Sequence, residues 1–99
     1  MFGLKEYVID EIKKVLSKYD EIEKVFIFGS RARGDYKKTS DIDLAIFSKC
    51  ISSTNLNLLR DDLYMLDIIY KVDVVDFNRL SKDALKENIL SEGIMIYSK

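Results

Sequence analysis

The segment Gly29-Ser30-Arg31-Ala32-Arg33-Gly34, followed after Asp35 to Ser40 by Asp41-Ile42-Asp43, puts two kinds of chemistry within one short span. Gly29 has no Cβ, so the backbone there can approach a ligand closely. Ser30 opens a predicted short helix whose first N–H groups lack intrahelical acceptors, an arrangement that takes phosphate. The Ser30 hydroxyl adds a donor, and Arg31 and Arg33 offer charge-assisted contacts to the same anion. By itself a Gly-Ser pair at the end of a strand is an ordinary strand-to-helix turn. Its neighbours give it weight. Asp41 and Asp43 lie two apart on a predicted strand, so their carboxylates leave the same face with Cα atoms about 6.6–6.8 Å apart. An Asp-x-Asp strand is more often a solvated face, but two like charges beside a phosphate cradle call for a divalent cation, and Mg²⁺ suits an oxygen-only donor set.

In-line displacement at phosphorus requires that both the attacking and the leaving oxygen be stabilised, and a third carboxylate on a neighbouring strand would complete that clamp. The run Val72-Asp73-Val74-Val75-Asp76-Phe77 offers two. Asp73 sits between valines inside a predicted strand, where an unpaired charge is expensive and calls for a cation. It could also accept the proton of an attacking hydroxyl. Asp76, nearer the strand end, is expected to be solvated and stands as the alternative third ligand.

Composition excludes most other chemistries. The 99 residues contain no His, Pro or Trp and a single Cys. No Ser-His-Asp or Cys-His machinery and no His-based zinc site can be assembled. Cys50 alone makes no intramolecular disulfide, which fits a reducing compartment, and its plainest role is a small half-buried hydrophobe. Sixteen Lys and Arg against seventeen Asp and Glu give a net charge of −1, which argues against affinity for long nucleic acid. No apolar run reaches the roughly 20 residues of a membrane span, and the N-terminus lacks the apolar core of a leader, so a cytoplasmic protein is expected. Phosphoryl-type transfer remains open, because it relies on positioning and charge neutralisation rather than on a tuned nucleophile.

The elements that must position these residues follow from periodicity. Leu4, Val8, Ile12, Val15 and Tyr19 mark an amphipathic helix. Val25 to Phe28 reads as a central strand stopped by Gly29, and Asp41 to Phe47 alternates with Ile42, Leu44 and Ile46 on one side. Ser52 or Ser53 caps a second amphipathic helix with Leu56, Leu59, Leu63 and Leu66 inward. Tyr64, Met65 and Tyr70 near that helix are best explained by core packing, with an exposed apolar patch as the alternative. Val72 to Phe77 is a further strand, Ser81 to Ser91 a short helix, Gly93 a left-handed stop, and Ile94 to Tyr97 an edge strand. The predicted class is α+β: residues 1–99 as a single domain, with a sheet of three or four strands packed by helices and its pairing sense open.

The pattern Gly29-Ser30, then Asp41-Ile42-Asp43, then Val72-Asp73-Val74-Val75 resembles the DNA polymerase β-like nucleotidyltransferase superfamily over nearly the whole chain. The wording Gly29 to Asp35 looks like its minimal members, including the MntA-type antitoxins paired with HEPN toxins. The resemblance implies a palm-like sheet on which Asp41, Asp43 and Asp73 are catalytic and hold two Mg²⁺, with Gly29 and Ser30 on the triphosphate of ATP. It implies transfer of AMP to a hydroxyl with release of pyrophosphate, the acceptor in such antitoxins being a tyrosine of the HEPN partner. Two other functions stay open: a non-catalytic nucleotide-binding subunit that masks or regulates a partner, and transfer of a nucleotide to a small molecule. Tyr36, beside the cradle, reads as a surface-loop tyrosine, with self-modification as the other reading.

Overall fold

Strict alternation along the second strand divides the molecule. Ile42, Leu44 and Ile46 are fully buried on one face, whereas Asp43 and Phe47 on the other keep partial exposure. A computed structural model describes all 99 residues. Its elements are α1 (Glu6–Leu16), β1 (Ile22–Phe28), α2 (Ser30–Arg33), β2 (Ile42–Ser48), α3 (Ser53–Tyr64), β3 (Val72–Asp76), a 3₁₀ turn (Phe77–Arg79), α4 (Asp83–Glu92) and β4 (Ile94–Ser98). The strands form one sheet in the order β3-β2-β1-β4. β1 runs antiparallel to β2 and β4, and β2 and β3 are parallel, joined through α3. The pairing sense left open by the sequence is therefore mixed, and the class is α+β.

One face carries the main core. Val8, Ile12, Val15 and Leu16 of α1 and Leu56, Leu59 and Leu63 of α3 pack on Val25, Ile27, Ile42, Leu44, Ile46, Val74 and Ile96. Each fully buried aliphatic side chain there contributes about 1.5–3 kcal/mol. Leu4 is buried ahead of α1, and Leu66 packs against the same core from the turn after α3. The Ser52 hydroxyl accepts from the Asn55 amide at 3.0 Å and so caps α3. Tyr19, in the turn after α1, donates to Asp62 Oδ2 at 2.6 Å and ties the two helices together.

The opposite face is covered more thinly. Ala45 and Ile89 are buried outside the main cluster. Phe26, Phe47 and Phe77 cluster beside them, the first pair tilted with centroids 4.9 Å apart and the second stacked at 4.5 Å, and the Lys24 ammonium lies over the first two rings. Gly93 closes α4 against this face. It is extended (φ −67°, ψ 145°), not left-handed as the sequence suggested. Its lack of a side chain is explained by space, since a Cβ would run into the Ile89 carbonyl and the Phe26 ring.

Two further expectations are corrected. Cys50 is exposed in the turn after β2, not half-buried. Tyr64 and Met65 are 87% and 78% exposed at the end of α3, because the core stripe already ends at Leu63, so core packing does not account for them. Tyr70 is the exception, partly buried against the core. On the outer edge of β3 the Arg60 guanidinium donates to the Val74 carbonyl at 3.0 Å.

Candidate active site

The strand register brings the acidic residues together on the thinly covered face. Asp43 pairs with Phe28 of β1 on one side and with Asp73 of β3 on the other. In-register neighbours in a sheet share a face, so the Asp43 and Asp73 carboxylates leave the same surface side by side. Asp41 precedes β2 by one residue, is exposed, and has the same parity as Asp43. Partial burial, then the negative charges of Asp73 and Asp41, hold the Asp43 carboxyl above the ordinary carboxylate range, with Arg33 and Lys71 pulling the other way. Burial and neighbouring like charge act in the same direction here, both favouring the neutral form of the acid.

Asp76 lies on the other side of its strand. It is paired with Ile46, only 6% exposed, and engaged locally, accepting from the Asn78 amide at 3.1 Å and facing Arg79 Nε at 3.2 Å. The expectation of a solvated Asp76 is therefore corrected: it caps the 3₁₀ turn. Asp73, by contrast, has a half-exposed side chain whose near partner is Lys71 Nζ at 3.7 Å. Lys71 lies just ahead of β3, two residues before Asp73, a spacing visible in the sequence.

The turn after β1 abuts this row of acids. Gly29 adopts φ 77° and ψ −156°, a region open essentially to glycine. A Cβ at that position would come within 2.5 Å of Asp43 Oδ2. The main chain thus passes against the Asp43 carboxylate, and Ser30 begins α2 immediately beyond it. With four residues α2 has little macrodipole, and its contribution is the unpartnered amides of its first turn. Gly34, at φ 92°, ends the helix in the left-handed region.

The two arginines of the motif part company. Arg33 is exposed and held by Asp35 at 3.2 Å and Glu92 at 3.4 Å, both surface contacts that an anion could replace. Arg31, expected to contact phosphate, is 2% exposed. Its Nε donates to the Ser40 carbonyl at 3.0 Å, Nη1 to Phe2 at 2.9 Å and Nη2 to Lys38 at 3.3 Å. A guanidinium committed to three main-chain oxygens has no free fork to offer an anion, so the phosphate-contact expectation for Arg31 is corrected.

The three carboxylates offer only oxygen donors, which matches magnesium, and the raised Asp43 carboxyl marks charge that a cation would offset. No three acidic, cysteine or histidine side chains are already closed around one point. The donor set fits a divalent ion by its chemistry and by the shared face of Asp43 and Asp73.

Comparison with known proteins identifies the family and the fold. The family model described as polymerase beta, nucleotidyltransferase, matches residues 10–99. A Methanocaldococcus jannaschii protein named as a protein adenylyltransferase is 33% identical over 91 residues, covering 90% of this chain and 91% of the relative. A Haemophilus influenzae protein named as the protein adenylyltransferase MntA is 32% identical over 89 residues, 89% of this chain and 77% of that one. Among solved structures, a chain of the Shewanella oneidensis complex of tri-AMPylated HEPN toxin with MNT antitoxin superposes with a TM-score of 0.72. It covers 97% of this chain and 74% of its own length at 20% identity, a likeness of fold. No helix is long and apolar enough to cross a membrane.

Proposed function

Because this chain belongs to the polymerase beta nucleotidyltransferase family, we propose that it is a protein adenylyltransferase that moves AMP from ATP to a tyrosine hydroxyl of a HEPN-type partner, as an antitoxin. The observation that carries the reading is the side-by-side placement of Asp43 and Asp73 against the Gly29–Ser30 turn, with Asp41 near enough for its charge to act on Asp43. The names of the relatives supply the acceptor class: two are protein adenylyltransferases, and the Shewanella neighbour is bound to an AMPylated HEPN toxin. Residues 1–99 act in this reading as one nucleotidyltransferase domain, working in the cytoplasm, where ATP is supplied.

Asp41, Asp43 and Asp73 would hold two Mg²⁺ ions. Bound magnesium supplies charge neutralisation and alignment of the triphosphate oxygens. The chain does the rest. Gly29 lets the backbone lie against the β- and γ-phosphates, and the first amides of α2 and the Ser30 hydroxyl donate to them. Arg33 leaves Asp35 and Glu92 for the same oxygens. The acceptor hydroxyl attacks the α-phosphorus, a new O–P bond forms as the bond to the bridging oxygen breaks, and pyrophosphate departs. Asp73, half-exposed on the edge strand of the sheet, takes the hydroxyl proton.

The test is intact-mass analysis of a HEPN protein co-expressed with this chain, after incubation with it, ATP and Mg²⁺. An adenylyl adduct that disappears with Asp43→Asn supports transfer. Tight association with no mass change would overturn it in favour of a masking subunit.

A further inference from the structure

Arg31 is the one cation in the molecule that is almost wholly buried, and it has no carboxylate partner: every ion pair involves other residues. Its charge is met by three main-chain carbonyls and two aromatic faces, with the guanidinium carbon 5.2 Å from the Tyr36 ring centroid and 4.8 Å from that of Tyr70. Burying a charge is costly, and here carbonyls and ring faces offset the cost in place of a counter-ion, which ties the side chain to whatever carries them.

The sequence positions of its partners show what that is. Arg31 follows Ser30 directly. The Ser40 carbonyl belongs to the peptide that enters Asp41, and the Lys38 carbonyl belongs to the same turn, which is closed on itself by Ser40 Oγ accepting from the Lys37 amide at 2.8 Å and by the Ser40 amide donating to Lys37 at 3.0 Å. Tyr70 immediately precedes Lys71, whose carbonyl accepts from the Ile42 amide at 2.9 Å, and β3 with Asp73 follows. Phe2 adds the N-terminal segment. One side chain therefore touches the three segments that carry the phosphate turn, the first aspartate pair and the third aspartate.

We propose that Arg31 is the positioning residue of the site: its guanidinium, clamped between Tyr36 and Tyr70 and bonded to Ser40 and Lys38, sets where Asp41 and Asp73 stand relative to Ser30. This rests on the adenylyltransferase reading of the acidic row, and it assigns to Arg31 a role distinct from phosphate binding. Lysine cannot replace it, because three carbonyls in different directions and two ring faces require a planar fork. Loss of such an outer support lowers metal affinity by about 10–100-fold.

The experiment is Mn²⁺ titration, read by the loss of the free-ion electron paramagnetic resonance signal, on the wild type, Arg31→Lys, Arg31→Ala and Leu56→Ala, each at a temperature where it is folded by circular dichroism. Arg31→Lys is expected to weaken Mn²⁺ binding by about 10–100-fold. Leu56→Ala, a core change remote from the site, is expected to bind as the wild type does. Millimolar ethylguanidinium is expected to restore part of the affinity of Arg31→Ala by occupying the vacated slot. Wild-type affinity in Arg31→Lys, or an equal loss in Leu56→Ala, overturns the proposal. Absence of Mn²⁺ binding in the wild type instead overturns the reading of the acidic row. Should Arg31→Ala fail to fold, Arg31→Lys alone decides.

Discussion

The two faces of the sheet are built from the same strands and obey different rules. Along β2, Ile42, Leu44 and Ile46 lie fully buried beneath α1 and α3, while one residue out of step Asp43 stands on the opposite face beside another carboxylate. The first face is where apolar area leaves water and stability accrues. The second bears partly exposed aromatic rings and like charges that weaken the empty fold. Stability and the proposed chemistry are thus separated by the two-residue period of a strand, and a change on one face should leave the other largely untouched.

That separation breaks if core changes reach the site. Leu59→Ala on α3 is expected to lower unfolding free energy by about 2–5 kcal/mol in denaturant titration, while the folded fraction keeps wild-type Mn²⁺ affinity. Next in size is the converse change. Asp43→Asn is expected to reduce transfer by about 10²–10³-fold and to leave the metal-free fold as stable as the wild type, or more so, near neutral pH. The sign follows from linkage. With its folded pKa raised, Asp43 binds its proton more readily in the native state, so native stability declines as pH rises from about 3.8 through the raised value. Denaturation in EDTA across that window should show this decline in the wild type and a shallower one in Asp43→Asn.

Gly29 lies at the end of β1 against the acidic face, and Gly29→Ala sharpens the contrast because it loads backbone strain and the Asp43 carboxylate together. The substitution forces a side chain into a glycine-only conformation, costing about 1–3 kcal/mol, and drives Cβ to 2.5 Å from Asp43 Oδ2. Lower melting temperature together with weaker binding of a non-hydrolysable ATP analogue is expected. The smallest effect belongs to the core side. Tyr19→Phe removes the hydrogen bond to Asp62 and is expected to cost about 1 kcal/mol at neutral pH. Burial, and then Asp62, push the Tyr19 hydroxyl up to about 12. The contribution is therefore intact below about pH 10 and lost as pH rises toward 12, so the gap between variant and wild type should narrow over that interval.

Much of this was legible in the residues themselves. The unbroken apolar run of β1, the alternation of β2 and the leucine stripe of α3 announce their elements because local pattern and tertiary burial agree. The Asp-x-Asp spacing places two carboxylates on one face whatever the partner strand does. Choosing between Asp73 and Asp76 is different, since it depends on which face of β3 meets Asp43, and only the parallel register supplies that. Arg31 misleads for a similar reason. A basic residue beside a phosphate turn reads as a ligand, but its partners include Phe2 and Tyr70, whose proximity exists only once the chain has folded. Gly93 and Cys50 show the local version of this limit: one answers to a neighbouring ring, and the other lies in a turn that the core leaves uncovered.

The Arg60 contact to Val74 bears on how the protein behaves when crowded. β3 is the rim of the sheet nearest the acids, and a rim with bare carbonyls invites a foreign strand to zip alongside it. With the Val74 oxygen already engaged by a charged side chain, adding a strand there means first evicting a guanidinium. The rim beside the proposed site can therefore stay uncovered with one of its outward carbonyls already guarded.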